Sequence, residues 1–187
     1  MAKNDRALEI LSELAAYLSD LSARVADLEC AGKATPAEEY HPQLPPDNAR
    51  DPLRAVAATI YGEARGEGNE GMLAVGCVIR NRVQNPGWWG EDWSSVCTAA
   101  KQFSCWWDKQ GERVRCVDES DARFAKCMEI AKSVISGEAE DITGGADHYH
   151  TGAVSPSWSR GKIPVKVIGA HRFFKLGKGA GSYRPAR

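Results

Sequence analysis

Apolar residues between positions 51 and 66 recur at the spacing of an amphipathic helix. They form a single stripe: Leu53, Val56, Ala57 and Ile60. Asp51 is a favourable N-cap, and Pro52 suits the first helical position because its missing N–H would have no intrahelical partner there. Gly66 and Gly68 are residues at which the helix is expected to end. The pattern predicts a helix that begins at Pro52 and ends near Gly66.

Two further helical patterns follow. The first is expected to begin at an Asn69 N-cap and to end near residues 85–87, and its apolar face comprises Met72, Val75, Val78, Ile79 and Val83. The second is expected to begin at Ser120 and to stop at Gly137, with an apolar face of Phe124, Cys127, Met128, Ala131, Val134 and Ile135. Between them we predict a short helix capped by Ser94. After residue 143 only residues 165–168 have a strand-like pattern, so the domain is expected to be mainly α (α+β), with long loops.

The N-terminal part has a different pattern. An a/d heptad seam predicts a helix over about residues 5–30 and consists of Leu11, Leu14, Leu18, Leu21, Val25 and Leu28. Fewer than four heptads are short for an isolated helix, so self-association through residues 8–28 is expected, with packing on another surface as the alternative. Residues 31–50 contain four prolines and predict a linker. The expected organisation is a coiled-coil-like helix (1–30), a linker (31–50) and a compact main domain (51–187).

Composition narrows the class of protein. The 187 residues are 43% hydrophobic and 26% charged, with a formal net charge of −1, so one sizeable core is expected and no overall field attracts nucleic acid. No apolar run is long enough to cross a bilayer, so no stable membrane insertion is expected, and no signal-peptide core follows Met1. The chain is therefore expected to be made in the cytoplasm.

Six cysteines are present without a CxxC pair, so a structural zinc site of that type is not expected. Cys77 and Cys127 lie in helical patterns and are predicted to be core residues. A single disulfide among Cys97, Cys105 and Cys116 is an open alternative if the protein works outside the cytoplasm.

Glu63 is the main candidate for chemistry, because it falls on the buried stripe three residues after Ile60. Burial and the negative end of the helix dipole both disfavour a charged carboxylate there. A carboxyl that holds a proton and releases it to a leaving group is what glycosidic cleavage requires. The alternative is a structural ion pair with Arg54, Arg65 or Arg80. Glu67 and Glu70 are expected to lie in solvent, beyond Gly66.

Three other sets of residues suggest functional sites, on weaker evidence than Glu63. Trp88, Trp89, Trp106 and Trp107 form adjacent pairs that suit a glycan groove, and one member of each pair is expected to be buried. A second set resembles a metal constellation, although without a helical zinc motif: Asp147, His148, His150 and His171, with Glu63 as a further ligand. Nucleophilic catalysis by Cys105 with His148 is a third possibility.

An ordered series of short motifs resembles the SleB-like cell wall hydrolases, which include spore-cortex-lytic enzymes and phage endolysins. The series spans about residues 54–174. Its pieces are residues 59–67 (TIYGEARGE), Glu70-Gly71, Ala74-Val75, Asn81-Arg82-Val83, Gln102-Phe103-Ser104, Gly144-Gly145-Ala146, His148-Tyr149, Pro156, Trp158 and residues 168–174 (IGAHRFF).

The resemblance implies a lysozyme-like, lytic-transglycosylase-like fold and cleavage of peptidoglycan between N-acetylmuramic acid and N-acetylglucosamine. It also implies that Glu63 is the catalytic acid. Spore-type relatives often have Tyr-Asn-Pro where this chain has His148-Tyr149-His150-Thr151, a departure that resembles phage-type members. Release during phage lysis is therefore the expected route to the wall.

Lytic transglycosylation with one glutamate is the expected mechanism, since no second carboxylate occupies an equivalent buried position. Gln102, Ser104 and Tyr149 are expected to orient the substrate, and His148 to contact it. Phe103, Trp106 and Trp158 are expected to form walls. Hydrolytic muramidase activity is the alternative, with Glu67 or Asp147 activating a water molecule.

Two other classes remain open. One is a zinc-dependent amidase or endopeptidase that uses His148, His150 and His171, and the other is a non-catalytic wall-binding virion protein. For the favoured mechanism we expect no cofactor and no metal, and the expected partner is the peptidoglycan glycan strand.

Overall fold

A computed structural model describes residues 49–107, 114 and 117–178, all within the unit His41–Arg187. The predicted N-terminal heptad helix, residues 31–48 of the linker and Cys116 lie outside the described residues. The elements, in chain order, are α1 (Pro52–Ala64), α2 (Gly68–Gln84), α3 (Trp93–Thr98), a 3-10 turn (Ser104–Trp106), α4 (Ala122–Ser136), β1 (His148–Thr151), a second 3-10 turn (Ser157–Ser159), β2 (Lys166–Ile168) and β3 (His171–Phe174).

Helix α1 is the centre of the helical core and packs against α2, α3 and α4. Its start is confirmed, because the side chain of Asp51 accepts a hydrogen bond from the Leu53 N–H (3.2 Å) and Pro52 occupies the first turn. Val56, Ala57 and Ile60 of the predicted stripe are buried, Leu53 is half-buried, and the helix ends at Ala64. Glu63, three residues after Ile60, therefore lies in the last turn of a helix that is surrounded by the three other helices.

The predicted caps of α3 and α4 are wrong by one or two residues. Asp92 caps α3 in a capping box with Ser95, whereas Ser94 lies inside the helix. Asp121 caps α4 through its side chain, one residue after Ser120. In both cases an aspartate within two residues of the expected serine accepts a hydrogen bond from a backbone N–H of the first helical turn, and aspartate is as favourable an N-cap as serine. The predicted end of α4 is confirmed, since Gly137 adopts the left-handed conformation (φ 82°).

The start of α2 is also corrected. The helix begins at Gly68 and the cap position is occupied by Glu67, which makes no side-chain capping bond, so Asn69 is not the cap. The predicted end is confirmed at Asn85. With Gly68 at φ 69°, only a short turn separates α1 from α2, which makes the two an αα-hairpin.

The sheet was only partly predicted. Strands β1, β3 and β2 lie antiparallel in that order, and His150 pairs with Arg172. Only β2 had been predicted. The other strands were missed because they are four residues long and contain histidine and aromatic residues, which is a weak strand signal.

A small second core attaches this sheet to α2. It consists of Ala74, Val78, Ala146, Ile168 and Phe173. The fold is therefore mainly helical with a small sheet, as predicted. Within residues 49–107 and 117–178, no helix combines the length and the apolar character that a membrane span needs.

The thiols of Cys77 and Cys127 are buried, as predicted. Cys97 is a buried free thiol, and burial raises its pKa to about 12. The proposed disulfide therefore does not include Cys97.

Candidate active site

The carboxyl group of Glu63 lies half-buried in the last turn of α1 and accepts two hydrogen bonds. The phenol of Tyr149 donates to Oε2 (2.8 Å), and the backbone N–H of Cys105 donates to Oε1 (3.2 Å). Both partners come from distant parts of the chain. Among the described residues, none forms an ion pair with Glu63.

The alternative interpretation, a structural ion pair of Glu63 with one of three arginines, is therefore not supported among the described residues. Arg54 pairs with Glu119, and its guanidinium also lies over the Phe124 ring. Arg65 lies over the ring of Tyr61, and Arg80 donates to a backbone carbonyl. The three arginines point to other groups, so the Glu63 carboxyl is left to polar, uncharged donors.

A close approach of two segments brings the Cys105 N–H to Glu63. Gly62 permits it, because a Cβ at that position would lie 2.4 Å from the Cβ of Cys105. The 3-10 turn that contains Cys105 is also bound to α1 by a hydrogen bond, which Trp106 Nε1 donates to Thr59 Oγ1 (2.9 Å). The glycine in the sequence Tyr61-Gly62-Glu63 is thus required by the site.

Tyr149 is the link between Glu63 and the surrounding aromatic residues. It lies on β1, with its ring 5.7 Å from Phe173 and 5.1 Å from His171. Burial, followed by the neighbouring Glu63 carboxylate, raises the pKa of Tyr149 well above its ordinary value. The phenol therefore keeps its proton and remains a donor to Glu63 at neutral pH.

A cleft of about 230 Å³ opens beside Tyr149. It is lined by Arg82, Trp88, Lys101, Gln102, His148, Tyr149 and Trp158. Four of these were predicted as substrate-binding residues: Gln102, His148, Tyr149 and Trp158. The structure brings them together from the loop after α3, from β1 and from the second 3-10 turn.

Three other predicted residues do not line this cleft. Phe103 and Trp106 are 0% and 2% exposed, so they are core residues and not walls, which corrects their assignment. Ser104 is exposed on the 3-10 turn. Of the tryptophan pairs, Trp89 and Trp106 are buried while their neighbours are partly exposed, as predicted.

His148 is held by packing and by Asp147. Its ring lies 5.1 Å from Trp158 and 6.2 Å from Trp88, and Nδ1 lies 2.7 Å from Asp147 Oδ1. The Asp147 carboxylate also accepts from the N–H groups of Leu176 (2.9 Å) and Gly177 (2.7 Å). Burial alone would raise the pKa of Asp147, but these hydrogen bonds together hold it below its ordinary value. Both oxygens thus accept hydrogen bonds from the surrounding structure, which favours a structural role for Asp147 over one in activating water.

Glu67 does not lie in solvent as expected. It is half-buried, and its Oε2 accepts a hydrogen bond from the Ala170 N–H (2.9 Å) at the turn between β2 and β3. Gly169 makes room for it, because a Cβ there would lie 2.3 Å from that oxygen. The exposure of Glu70 is confirmed.

The histidines do not converge on one point. His148 and His150 share the buried face of β1, because alternate residues of a strand point to the same side. His150, however, stacks on Phe174 (5.2 Å between centroids), and its Nδ1 meets the Thr151 carbonyl. Across the described ranges, no group of three or more His, Cys, Asp or Glu side chains is arranged to hold a metal ion.

Sequence reasoning missed two residues of the cleft, Arg82 and Lys101, whereas Trp88 belongs to one of the tryptophan pairs that were expected to suit a glycan groove. Arg82 could have been recognised because it is a charged residue on the apolar face of α2. Arginine is rarely buried without a specific partner, so its position there indicates a special role.

The chain is similar to known proteins in sequence and in fold. A family model described as Cell Wall Hydrolase matches residues 66–174. The chain is 31% identical over 133 residues to the spore cortex-lytic enzymes of Halalkalibacterium halodurans and Oceanobacillus iheyensis, covering 70% and 71% of this chain. It spans only 36% and 44% of the length of those relatives.

Two solved structures are similar in fold. One is the catalytic domain of the germination-specific lytic transglycosylase SleB from Bacillus anthracis (TM-score 0.55, 26% identity), which is covered completely by 71% of this chain. The other is the catalytic domain of the Bacillus cereus SleB protein (TM-score 0.53, 24% identity), covered completely by 74% of this chain.

Proposed function

The chain belongs to the cell wall hydrolase family, and from this premise we propose that it cleaves peptidoglycan between N-acetylmuramic acid and N-acetylglucosamine as a lytic transglycosylase. The observation that carries the proposal is the Glu63 carboxyl, held by Tyr149 and the Cys105 N–H beside an aromatic cleft. The B. anthracis neighbour is a lytic transglycosylase, which supports this type of reaction.

In the first step, protonated Glu63 gives its proton to the glycosidic oxygen as the bond from that oxygen to C1 of the muramoyl sugar breaks. The positive charge that develops at C1 faces the new carboxylate. Tyr149 and the Cys105 N–H both donate to that carboxylate, so they stabilise the state that Glu63 reaches after proton transfer. A phenol can also accept a hydrogen bond, so Tyr149 can remain in contact with Glu63 in both protonation states.

In the second step, the Glu63 carboxylate takes the proton from the C6 hydroxyl of the same sugar. Oxygen O6 then bonds to C1 and closes a 1,6-anhydro ring, and Glu63 regains its starting proton. One residue thus acts as acid and then as base. The Trp158 and Trp88 rings, at the sides of the cleft, supply apolar faces on which sugar rings stack, and Gln102 supplies an amide for the N-acetyl group.

Hydrolytic muramidase activity is the second candidate. It needs another carboxylate to activate water, and Glu67 is the nearest to Glu63 in sequence that is half-buried. The hydrogen bond from the Ala170 N–H to Glu67 favours a structural role, because it occupies one oxygen in tying the αα-hairpin to the sheet.

A phage or prophage endolysin is the biological setting we propose. Its support is the sequence at residues 148–151, His-Tyr-His-Thr, which resembles phage-type members of the family. Expression of the chain in a bacterial host, with and without a separately supplied membrane lesion, tests the setting. Lysis that depends on the lesion is expected, and lysis without it would contradict release by that route.

The reaction is tested by mass spectrometry of muropeptides released from purified sacculi. Anhydromuramic ends are expected from the parent, and Glu63→Gln is expected to release none. Glu70→Gln is the matched control, because Glu70 is an exposed carboxylate on the neighbouring helix and should cleave like the parent. Reducing muramic ends would establish hydrolysis instead. Free stem peptides, or full activity of Glu63→Gln, would overturn the proposal.

A further inference from the structure

Arg82 is a buried cation whose hydrogen bonds are incomplete. It is 4% exposed, and its Nε donates to the Asp147 carbonyl (2.8 Å). Its Nη1 has no hydrogen-bond partner. The guanidinium carbon lies 5.1 Å from the centre of the Phe103 ring and 5.6 Å from that of Trp89, so the cation lies over two aromatic rings.

No carboxylate in the described part of the chain forms an ion pair with Arg82, although the charges of Asp147 and Glu63 act on it from a distance. The carboxylate of Asp147 is occupied by His148 and two backbone N–H groups, and that of Glu63 by Tyr149 and Cys105. An unpaired buried charge is costly, and burial correspondingly lowers the pKa of Arg82. Such an arrangement is typical of a site that is completed by an anionic ligand.

Arg82 lines the cleft beside Tyr149, and a second cation stands at its rim. Lys101 is exposed, lines the same cleft, and has a φ of 60°. Within the described ranges it is the one residue other than glycine in the left-handed region, and such strain often occurs at functional sites. The lining holds these two cations and no Asp or Glu.

We propose that this cleft is a subsite for a carboxylate of the glycan, bound between Arg82 and Lys101 while the sugar rings lie against Trp88 and Trp158. The inference rests on the proposed function, because it takes the glycan strand as the ligand. The muramoyl sugar carries a lactyl ether that ends in a carboxylate when the stem peptide is absent. When the peptide is present, its own carboxylates are the available anions. Either source provides the same chemistry for a guanidinium.

The test is direct binding, measured by calorimetry with the full chain carrying Glu63→Gln so that no turnover occurs. Three soluble glycan preparations are compared: peptide-free strands with free lactyl carboxylates, the same strands with those carboxylates converted to neutral methylamides, and strands with intact stem peptides. A carboxylate-bearing strand is expected to bind about tenfold tighter than the methylamide strand, the effect of one charge-assisted hydrogen bond. Preference for the peptide-free acid assigns the lactyl source, and preference for the peptide-bearing strand assigns the peptide.

Two further substitutions are made in the same background. Arg82→Gln is expected to abolish the preference, and Lys101→Gln to reduce it about threefold, since an exposed cation contributes less. If Arg82→Gln does not fold, Lys101→Gln still tests the site, because Lys101 lies on the surface.

Equal binding of acid and methylamide strands would overturn the subsite, as would a preference that Lys101→Gln leaves unchanged. The two proposals fail separately. Cleavage by the parent without a carboxylate preference contradicts only the subsite. A preference that depends on Lys101, without cleavage by the parent, supports the subsite and contradicts the proposed function.

Discussion

The phenol of Tyr149 donates a hydrogen bond to Glu63 Oε2 over 2.8 Å, although 86 residues separate the two in sequence. Glu63 comes from a helix and Tyr149 from the first strand of the sheet. The catalytic candidate therefore depends on the sheet being docked correctly against the helices.

Tyr149→Phe should lower kcat by about 10- to 100-fold, because it removes one hydrogen bond to a charged group while keeping the ring. KM should change little, since the aromatic contacts remain. The check is the rate of anhydromuropeptide release from sacculi at several substrate concentrations. A variant with parental kcat would show that Tyr149 does not support Glu63.

The same bond predicts a feature of the pH profile. Because the pKa of Tyr149 is raised, the phenol keeps its proton beyond its ordinary range, so its titration should not limit activity even near pH 10. Any fall in the parent's rate there should occur at the same pH in Tyr149→Phe. An alkaline limb that is present in the parent and missing in the variant would contradict this.

Gly62→Ala should impair both stability and rate. The new Cβ would lie 2.4 Å from the Cβ of Cys105, so the 3-10 turn must move away and withdraw its N–H from Glu63. Overpacking of this kind costs about 1–3 kcal/mol of unfolding free energy. Urea unfolding and sacculus cleavage measure the two effects. Gly66→Ala is the control, because a Cβ there would meet nothing within 4 Å, and equal losses in both variants would refute the explanation.

Glu67→Gln distinguishes a structural from a catalytic carboxylate. The amide oxygen can still accept from the Ala170 N–H, so a structural Glu67 predicts activity within about twofold of the parent. Glu67→Ala should then lower the melting temperature, since the αα-hairpin loses its tie to the sheet. Loss of activity in a well-folded Glu67→Gln would instead favour hydrolysis with Glu67 as the base.

Asp147 should contribute to stability in a pH-dependent way. Its pKa is lowered in the folded state, so the contribution is present above the unfolded value of about 3.9 and is lost as pH falls through the lower, folded value. Asp147→Asn should be less stable than the parent at pH 7, and the difference should shrink below about pH 4. Unfolding free energies between pH 3 and 7 test this against Glu138→Gln, an exposed control. A difference that does not change with pH would contradict the assignment.

Three predictions from the sequence were wrong or incomplete, each for a physical reason. The cap of α4 moved from Ser120 to Asp121 because two adjacent residues could each accept the same N–H group. Strand β1 was not predicted because histidines at alternate positions are not a recognisable apolar pattern. His148 and His150 are buried in the folded protein, where β1 pairs with β3. The prediction that Phe103 and Trp106 are cleft walls is wrong because the sequence does not say which side of a loop faces the core.

The sequence by itself determined α1, α2 and α4 and the location of Glu63, because helical periodicity and end signals are local. It also identified four residues of the cleft through an ordered motif series. Only the tertiary structure decided what surrounds Glu63: the Cys105 N–H, 42 residues away, the Tyr149 phenol, and the engagement of Glu67 by Ala170, 103 residues away. Only it showed that Arg82 is buried with an unpartnered donor. These relationships depend on packing between segments that are far apart in the chain, and no local pattern encodes them.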